Sequence, residues 1–365
     1  MRIGILTVPF NNNYGGFLQA FALKYVLTEL GHQVIFINRQ RNKSKGCISI
    51  LKRLFGLTYL YKTRQSRISK YTNQFVNNNL YPITESYYNS QDIASCLKYN
   101  LDCIVVGSDQ VWRYEYAKDS IEDFYLKFTH GISIKRISYA ASFGTDKPEY
   151  PRHVIENCEK YIKEFDSISV RESSGATLLN DYYNLKDVKT VLDPTLLVAP
   201  NVYLSLINNK YSHTKESYIF TYILDENEND IVKIQDFAHL NKKDIIDIKA
   251  QTTDIKKIKV IEPVEKWLSL IYHADFVLTD SFHGTVFSIL FHKPFIVFAN
   301  EDRGKDRFTD LLTRMGLQER LIQKGSSENL AIFDKTIDWL SVESMLCKEK
   351  KKSYDFLYNA LRHSS

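Results

Sequence analysis

Apolar positions along the chain follow two periods in turn. Short β-rich runs recur, beginning with Arg2–Val8, and between them apolar residues return at helical spacing. In Phe17–Leu30, for example, Leu18, Phe21, Ala22, Tyr25 and Val26 share one face. Gly31-His32 closes that helix and Gln33–Asn38 makes a second strand, so the chain opens on a βαβ unit. Further strands are predicted at Asp102–Val106, Arg136–Ala141, Ser167–Val170 and Val188–Leu192, with helices at Val154–Phe165 and Ser174–Tyr182. A second series starts at Tyr218–Leu224 and continues through Asp244–Ile248, Lys257–Ile261, Asp275–Thr279 and Pro294–Phe298. Helices are predicted between them at Asp230–Leu240, Val264–Ala274, Gly284–His292 and Asp306–Met315.

Such alternation predicts an α/β protein with parallel sheets covered on both faces. Two series predict two doubly wound Rossmann-like domains facing a cleft. The expected division is 1–207 and 208–340, with a helical tail over 341–365 and a linker at Asn208–Ser217. A polar segment over about residues 39–90 reads as an insertion on the first domain, with a helix expected over Tyr61–Leu80.

The 365 residues carry 48 Lys and Arg against 43 Asp and Glu, a net charge of +5. So small and dispersed an excess gives no support to nucleic-acid binding and leaves room for small anionic ligands. Five cysteines (Cys47, Cys96, Cys103, Cys158, Cys347) show no metal-ligand or disulfide spacing, as expected in a reducing compartment without a structural metal. The first residues enter a strand at once, and no apolar run approaches the ~20 residues of a membrane span. A cytoplasmic protein is expected. The basic run Lys348–Lys352 reads as a solvated helix face, with weak peripheral contact at the inner membrane face as the lesser reading.

In open parallel sheets ligands collect at the carboxyl ends of strands, so chemistry is sought there. The segment Thr279-Asp280-Ser281-Phe282-His283-Gly284 joins a buried strand to an apolar helix. It sets His283 beside free amides at a helix N-terminus, a natural anion site, with Gly284 allowing close approach. The alternative is that Asp280 and Ser281 only cap the helix while His283 packs. Arg303, Lys305 and Arg307, after the next strand, bring cations to the same rim, or else pair with Glu301 and Asp302 on the surface. Arg171 ends another strand, suited either to a bidentate anion contact or to a salt bridge. Paired Gly15-Gly16 after Asn13-Tyr14 would let a ligand approach the first βα turn. That turn is neither a dinucleotide nor a Walker loop, so neither of those functions is supported. Asp109 is a candidate base, and Trp112 is either a sugar platform or, as is commoner, core. Asp193, before a proline, reads as a turn former.

The ordered set Asn13-Tyr14-Gly15-Gly16, Gly107-Ser108-Asp109-Gln110-Val111-Trp112, Ser138-Tyr139-Ala140-Ala141-Ser142-Phe143-Gly144, Ser169-Val170-Arg171-Glu172, Leu192-Asp193-Pro194-Thr195-Leu196 and Thr279–Gly284 resembles the polysaccharide pyruvyl transferase family. The resemblance runs from about residue 3 to 317. It implies a glycosyltransferase-B-like fold and transfer of a pyruvate ketal from phosphoenolpyruvate, as co-substrate and without a cofactor or metal, to a saccharide or lipid-linked saccharide during surface polysaccharide synthesis. It further implies Arg171, His283 and Lys305 as donor residues. Ser281, Gly284 and Arg303 would join them on the donor side, and Asn13, Tyr14, Gly15, Gly16 and Trp112 would serve the acceptor. The chain departs from the family where many members carry an arginine two residues before the motif histidine and this one has Ser281. Either Arg303 or Arg307 completes the donor site, or the donor differs. The competing readings are a nucleotide-sugar-dependent glycosyltransferase of the same architecture and a non-catalytic sugar-phosphate-binding protein.

Overall fold

The computed structural model describes residues 1–10, 13–41, 66–207, 211, 217–248, 260–299, 304–325 and 336–362. Two parallel sheets carry the fold. The first comprises β1 (Arg2–Leu6), β2 (Gln33–Ile37), β3 (Cys103–Val106), β4 (Lys135–Ala141), β5 (Ser167–Val170) and β6 (Lys189–Thr190), in the order β2-β1-β3-β4-β5-β6. The second comprises β7 (Tyr218–Tyr222), β8 (Asp244–Asp247), β9 (Phe276–Thr279), β10 (Phe295–Ala299) and β11 (Leu321–Gln323), in the order β11-β10-β9-β7-β8. In both, the winding reverses beside the first strand, at β1/β3 and at β7/β9, which opens a crevice at the strands' carboxyl ends.

Most predicted elements form within a residue or two of their expected bounds, because continuous apolar runs are buried on both sheet faces. The differences have local causes. The strand expected over Val188–Leu192 pairs only at Lys189–Thr190, since the Leu192 amide donates to Ser353 Oγ (2.9 Å) instead of to a neighbouring strand. The strand expected at Lys257–Ile261 lies mostly outside the described residues, and Val260 and Ile261 are not in a strand. The sheet's far edge is instead the three-residue β11, too short for its period to be read. The expected linker falls outside the described residues except Tyr211 and Ser217, as does the start of the helix expected over Tyr61–Leu80. Its later part is helix Lys70–Phe75 followed by a π-helical turn, Val76–Leu80.

One apolar cluster runs through both domains and includes Ile3, Leu18, Val105, Phe220, Trp267, Val277 and Phe287. Tyr14 stacks on Trp267 at 5.5 Å between ring centres, and its hydroxyl donates to the Glu262 carbonyl (2.9 Å), so the first helix is anchored on the second domain. The C-terminal helix, Trp339–Leu361, returns to the first domain, where Tyr354 donates to the Leu197 carbonyl (3.3 Å) and Lys135 Nζ donates to that of Ala360 (2.9 Å).

Candidate active site

The carboxyl ends of the two sheets meet at Asp193, which follows β6. Its Oδ1 accepts from the Thr195 amide (3.0 Å) and hydroxyl (2.6 Å), which caps helix Pro194–Leu197. Oδ2 accepts from Ser108 Oγ (2.9 Å) at the end of β3 and from Arg171 Nη1 (3.1 Å) at the end of β5. His283 Nε2, from the second domain, stands 3.6 Å from that same oxygen, an ion-pair distance just beyond a hydrogen bond. Burial by itself would raise this carboxyl's pKa. The charges and hydrogen bonds of His283, Arg171 and Thr195 outweigh burial and hold it well below the usual carboxylate range.

Arg171 is buried among carboxylates. Besides Asp193 it faces Glu172 Oε2 (3.4 Å) and Asp109 Oδ1 (3.7 Å), and its guanidinium lies 4.2 Å from the centre of the Phe282 ring. Burial opposes the charge, yet Glu172, Asp193 and Asp109 more than compensate and keep the guanidinium firmly protonated. Burial raises the Glu172 carboxyl's pKa, against the pull of Arg171, the Ser142 hydroxyl and Arg307. Asp109 reaches Arg171 from a left-handed backbone conformation (φ 75°) that a non-glycine residue holds only when its surroundings impose it. Two donors of the cluster, Arg171 Nη2 and His283 Nε2, are buried without a hydrogen-bond partner. Such orphans are rare in a finished core and common where a ligand completes the set.

His283 is placed by helix Phe282–Leu290, wholly apolar or small and buried along its length, with Ser281 as N-cap accepting from the Gly284 amide (3.4 Å). The imidazole lies flat against the first helix of the other domain. A Cβ on Gly15 would stand 2.0 Å from His283 Nδ1. Gly15 therefore makes room for the imidazole.

Several expected site residues serve packing. Trp112 is completely buried, its indole N–H donating to the Phe124 carbonyl (3.1 Å) and its ring stacked on Tyr125, so it offers no face to a sugar. Tyr14 joins the domains, and Asn13 caps the first helix by accepting from the Gly15 amide (3.1 Å). Gly284 is required by close packing on β9, where a Cβ would come 2.5 Å from Thr279 Oγ1. Asp280 accepts from the Leu224 and Asp225 amides (2.6 and 2.9 Å) and caps nothing in the histidine helix. Lys305 donates to Gln323 Oε1 on β11 (3.0 Å), and no contact with Arg171, Asp193 or His283 is found among the described residues. Helical residues two apart face different sides, and it is Arg307 that turns inward. Arg303, with Asn300, Glu301 and Asp302, lies outside the described residues. Sequence reasoning missed Asp193 as the centre of the site, because Asp-Pro-Thr also has the pattern of an ordinary N-cap with proline at the first helical position.

The polysaccharide pyruvyl transferase family model matches residues 13–302. The chain belongs to that family. The matched span holds every member of the Asp193 cluster. No curated protein sequence matches the chain. Among solved structures, the UDP-GlcNAc 2-epimerase of Neisseria meningitidis bound to UDP-GlcNAc is similar at TM-score 0.57 and 10% identity, covering 98% of this chain and 100% of its own. The UDP-N-acetylglucosamine 2-epimerase of Rickettsia bellii aligns at 0.55 and 9% identity, covering 98% and 96%. That of Methanocaldococcus jannaschii, in complex with UDP-GlcNAc and UDP, aligns at 0.51 and 14%, covering 98% and 100%. At these identities the likeness is one of fold, and the fold is glycosyltransferase-B-like. No helix among the described residues is long and apolar enough to cross a membrane.

Proposed function

We propose that this polysaccharide pyruvyl transferase builds a pyruvate ketal on a saccharide of a surface polysaccharide, taking the pyruvyl group from phosphoenolpyruvate in the cytoplasm. The observation that carries the reading is the pair of buried donors without partners, Arg171 Nη2 and His283 Nε2, converging from the two domains. A small anion between them would accept from both. In the proposed reaction His283 donates its proton to C3 of the donor, which leaves C2 electrophilic. One saccharide hydroxyl adds to C2 and gives up its proton. Phosphate departs with the C–O bonding pair, and a second hydroxyl closes the ring and gives up its proton. Asp193 stabilises the protonated imidazole across 3.6 Å, and Asp109 is the candidate base for the hydroxyls. Arg171 acts as a donor clamp through its one unused edge. Lys305 reaches the donor only by leaving Gln323.

A nucleotide-sugar donor is less well supported. The Leu224 and Asp225 amides, at the β7/β9 crevice where a diphosphate would be sought, already donate to the Asp280 carboxylate.

The test is phosphate release from phosphoenolpyruvate in the presence of a pyranoside with two free neighbouring hydroxyls. His283→Ala is expected to lower the rate by about 10²–10⁴-fold, the usual scale for losing a general acid, with the melting temperature kept. Retention of most of the activity would remove His283 from the mechanism. Thermal stabilisation by nucleotide sugars, and not by phosphoenolpyruvate, would favour the glycosyltransferase reading.

A further inference from the structure

Helix Lys305–Arg314 of the second domain is laid directly on the strand ends of the first. Gly304, at φ 78°, makes this possible, since a Cβ there would stand 2.0 Å from the Gly144 carbonyl oxygen after β4. Asp310, further along the helix, accepts from the Ser173 amide (3.1 Å) just beyond Arg171. Between these two docking points lies Arg307, with 8% of its surface exposed. Its guanidinium carbon is 5.8 Å from the centre of the Phe282 ring, the same ring that Arg171 approaches to 4.2 Å. Two guanidinium groups, one from each domain, thus share one aromatic side chain immediately before His283.

That arrangement is electrostatically unfavourable for Arg307. Burial first and the Arg171 charge second lower its pKa to about 10, with Glu172 and Asp109 acting in the opposite direction. A doubly charged anion between the two guanidinium groups would relieve both effects, and the partnerless Nη2 of Arg171 and Nε2 of His283 mark the same place.

We propose that Arg307 binds the phosphate of the donor, supplying from the second domain the cation that Ser281 does not. The inference rests on the phosphoenolpyruvate reading above and adds to it a specific residue. It makes the donor site a product of both domains: Arg171 from one, Arg307 and His283 from the other. It also accounts for a helix that begins with two cations and aims only the second inward.

The experiment is calorimetric binding of phosphoenolpyruvate to the full chain, comparing wild type, Arg307→Gln, Arg307→Lys and an exposed control, Asp236→Asn. A charge-assisted contact of this kind predicts a loss of at least about tenfold in affinity for R307Q. R307K, which keeps the charge and loses the planar fork, should fall between R307Q and wild type, and D236N should match wild type. Should R307Q fail to fold, R307K decides, and unchanged affinity there overturns the proposal. Wild-type binding with R307Q equally tight also overturns it while the donor reading stands. If wild type itself does not bind phosphoenolpyruvate, the donor reading falls and this inference falls with it.

Discussion

At the scale of single residues, the contact between Gly15 and His283 is the most demanding in the site. A methyl group on Gly15 would overlap the imidazole, so Gly15→Ala must displace His283 from Asp193 and Arg171. Its neighbour is the control. A Cβ on Gly16 meets nothing nearer than 3.6 Å, and alanine is the better helix former. G15A is therefore expected to lose most phosphate-releasing activity. G16A should keep its activity and gain up to about 0.5–1 kcal/mol in denaturant unfolding. Equal activity in the two variants would mean that the imidazole has somewhere else to go.

Among the elements, the C-terminal helix has the most to do for a segment so far from the chemistry. It supplies Ser353, completely buried, whose hydroxyl accepts from the Leu192 amide next to Asp193 and donates to the Glu349 carbonyl (2.9 Å). Ser353→Ala leaves a buried amide without a partner at the end of β6, which costs about 1–3 kcal/mol. Urea unfolding should register that loss. Because the same amide fixes the backbone leading into Asp193, activity should fall beyond what the unfolded fraction explains. A stability loss with wild-type activity would confine this helix to a structural role.

At the scale of the whole molecule, the buried charge cluster couples stability to pH. Asp193 titrates lower in the folded chain than its unfolded value near 4. The native state then binds fewer protons than the unfolded one in that range. The stabilisation is present above about pH 4 and is lost as pH falls below it. Asp193→Asn removes the carboxylate and leaves Arg171 buried with one fewer counter-charge, so it should destabilise the protein at neutral pH by about 3–5 kcal/mol. Its melting temperature should also fall less steeply than that of wild type between pH 5 and 3, whichever partner His283 then finds. Parallel acid profiles for the two proteins would show that Asp193 is not held as a carboxylate by its neighbours.

Local patterning along the chain was enough to determine both parallel sheets, nearly all of their strands, the junction that delivers His283 and, through an ordered set of short motifs, the family. These features are legible because burial period and capping chemistry act between residues close in sequence. Only the tertiary structure decided that Asp193 sits between Arg171 and His283, that Gly15 yields space to an imidazole from the other domain, and that Arg307 turns inward while Lys305 bonds Gln323. It also sealed Trp112 in the core. Asp193 resembles any capping aspartate, and Trp112 any strand-end aromatic, until the two domains close. Which polar groups then face one another depends on how two separately patterned cores pack together, and that is a property of the assembled interface, with no period along the chain to announce it.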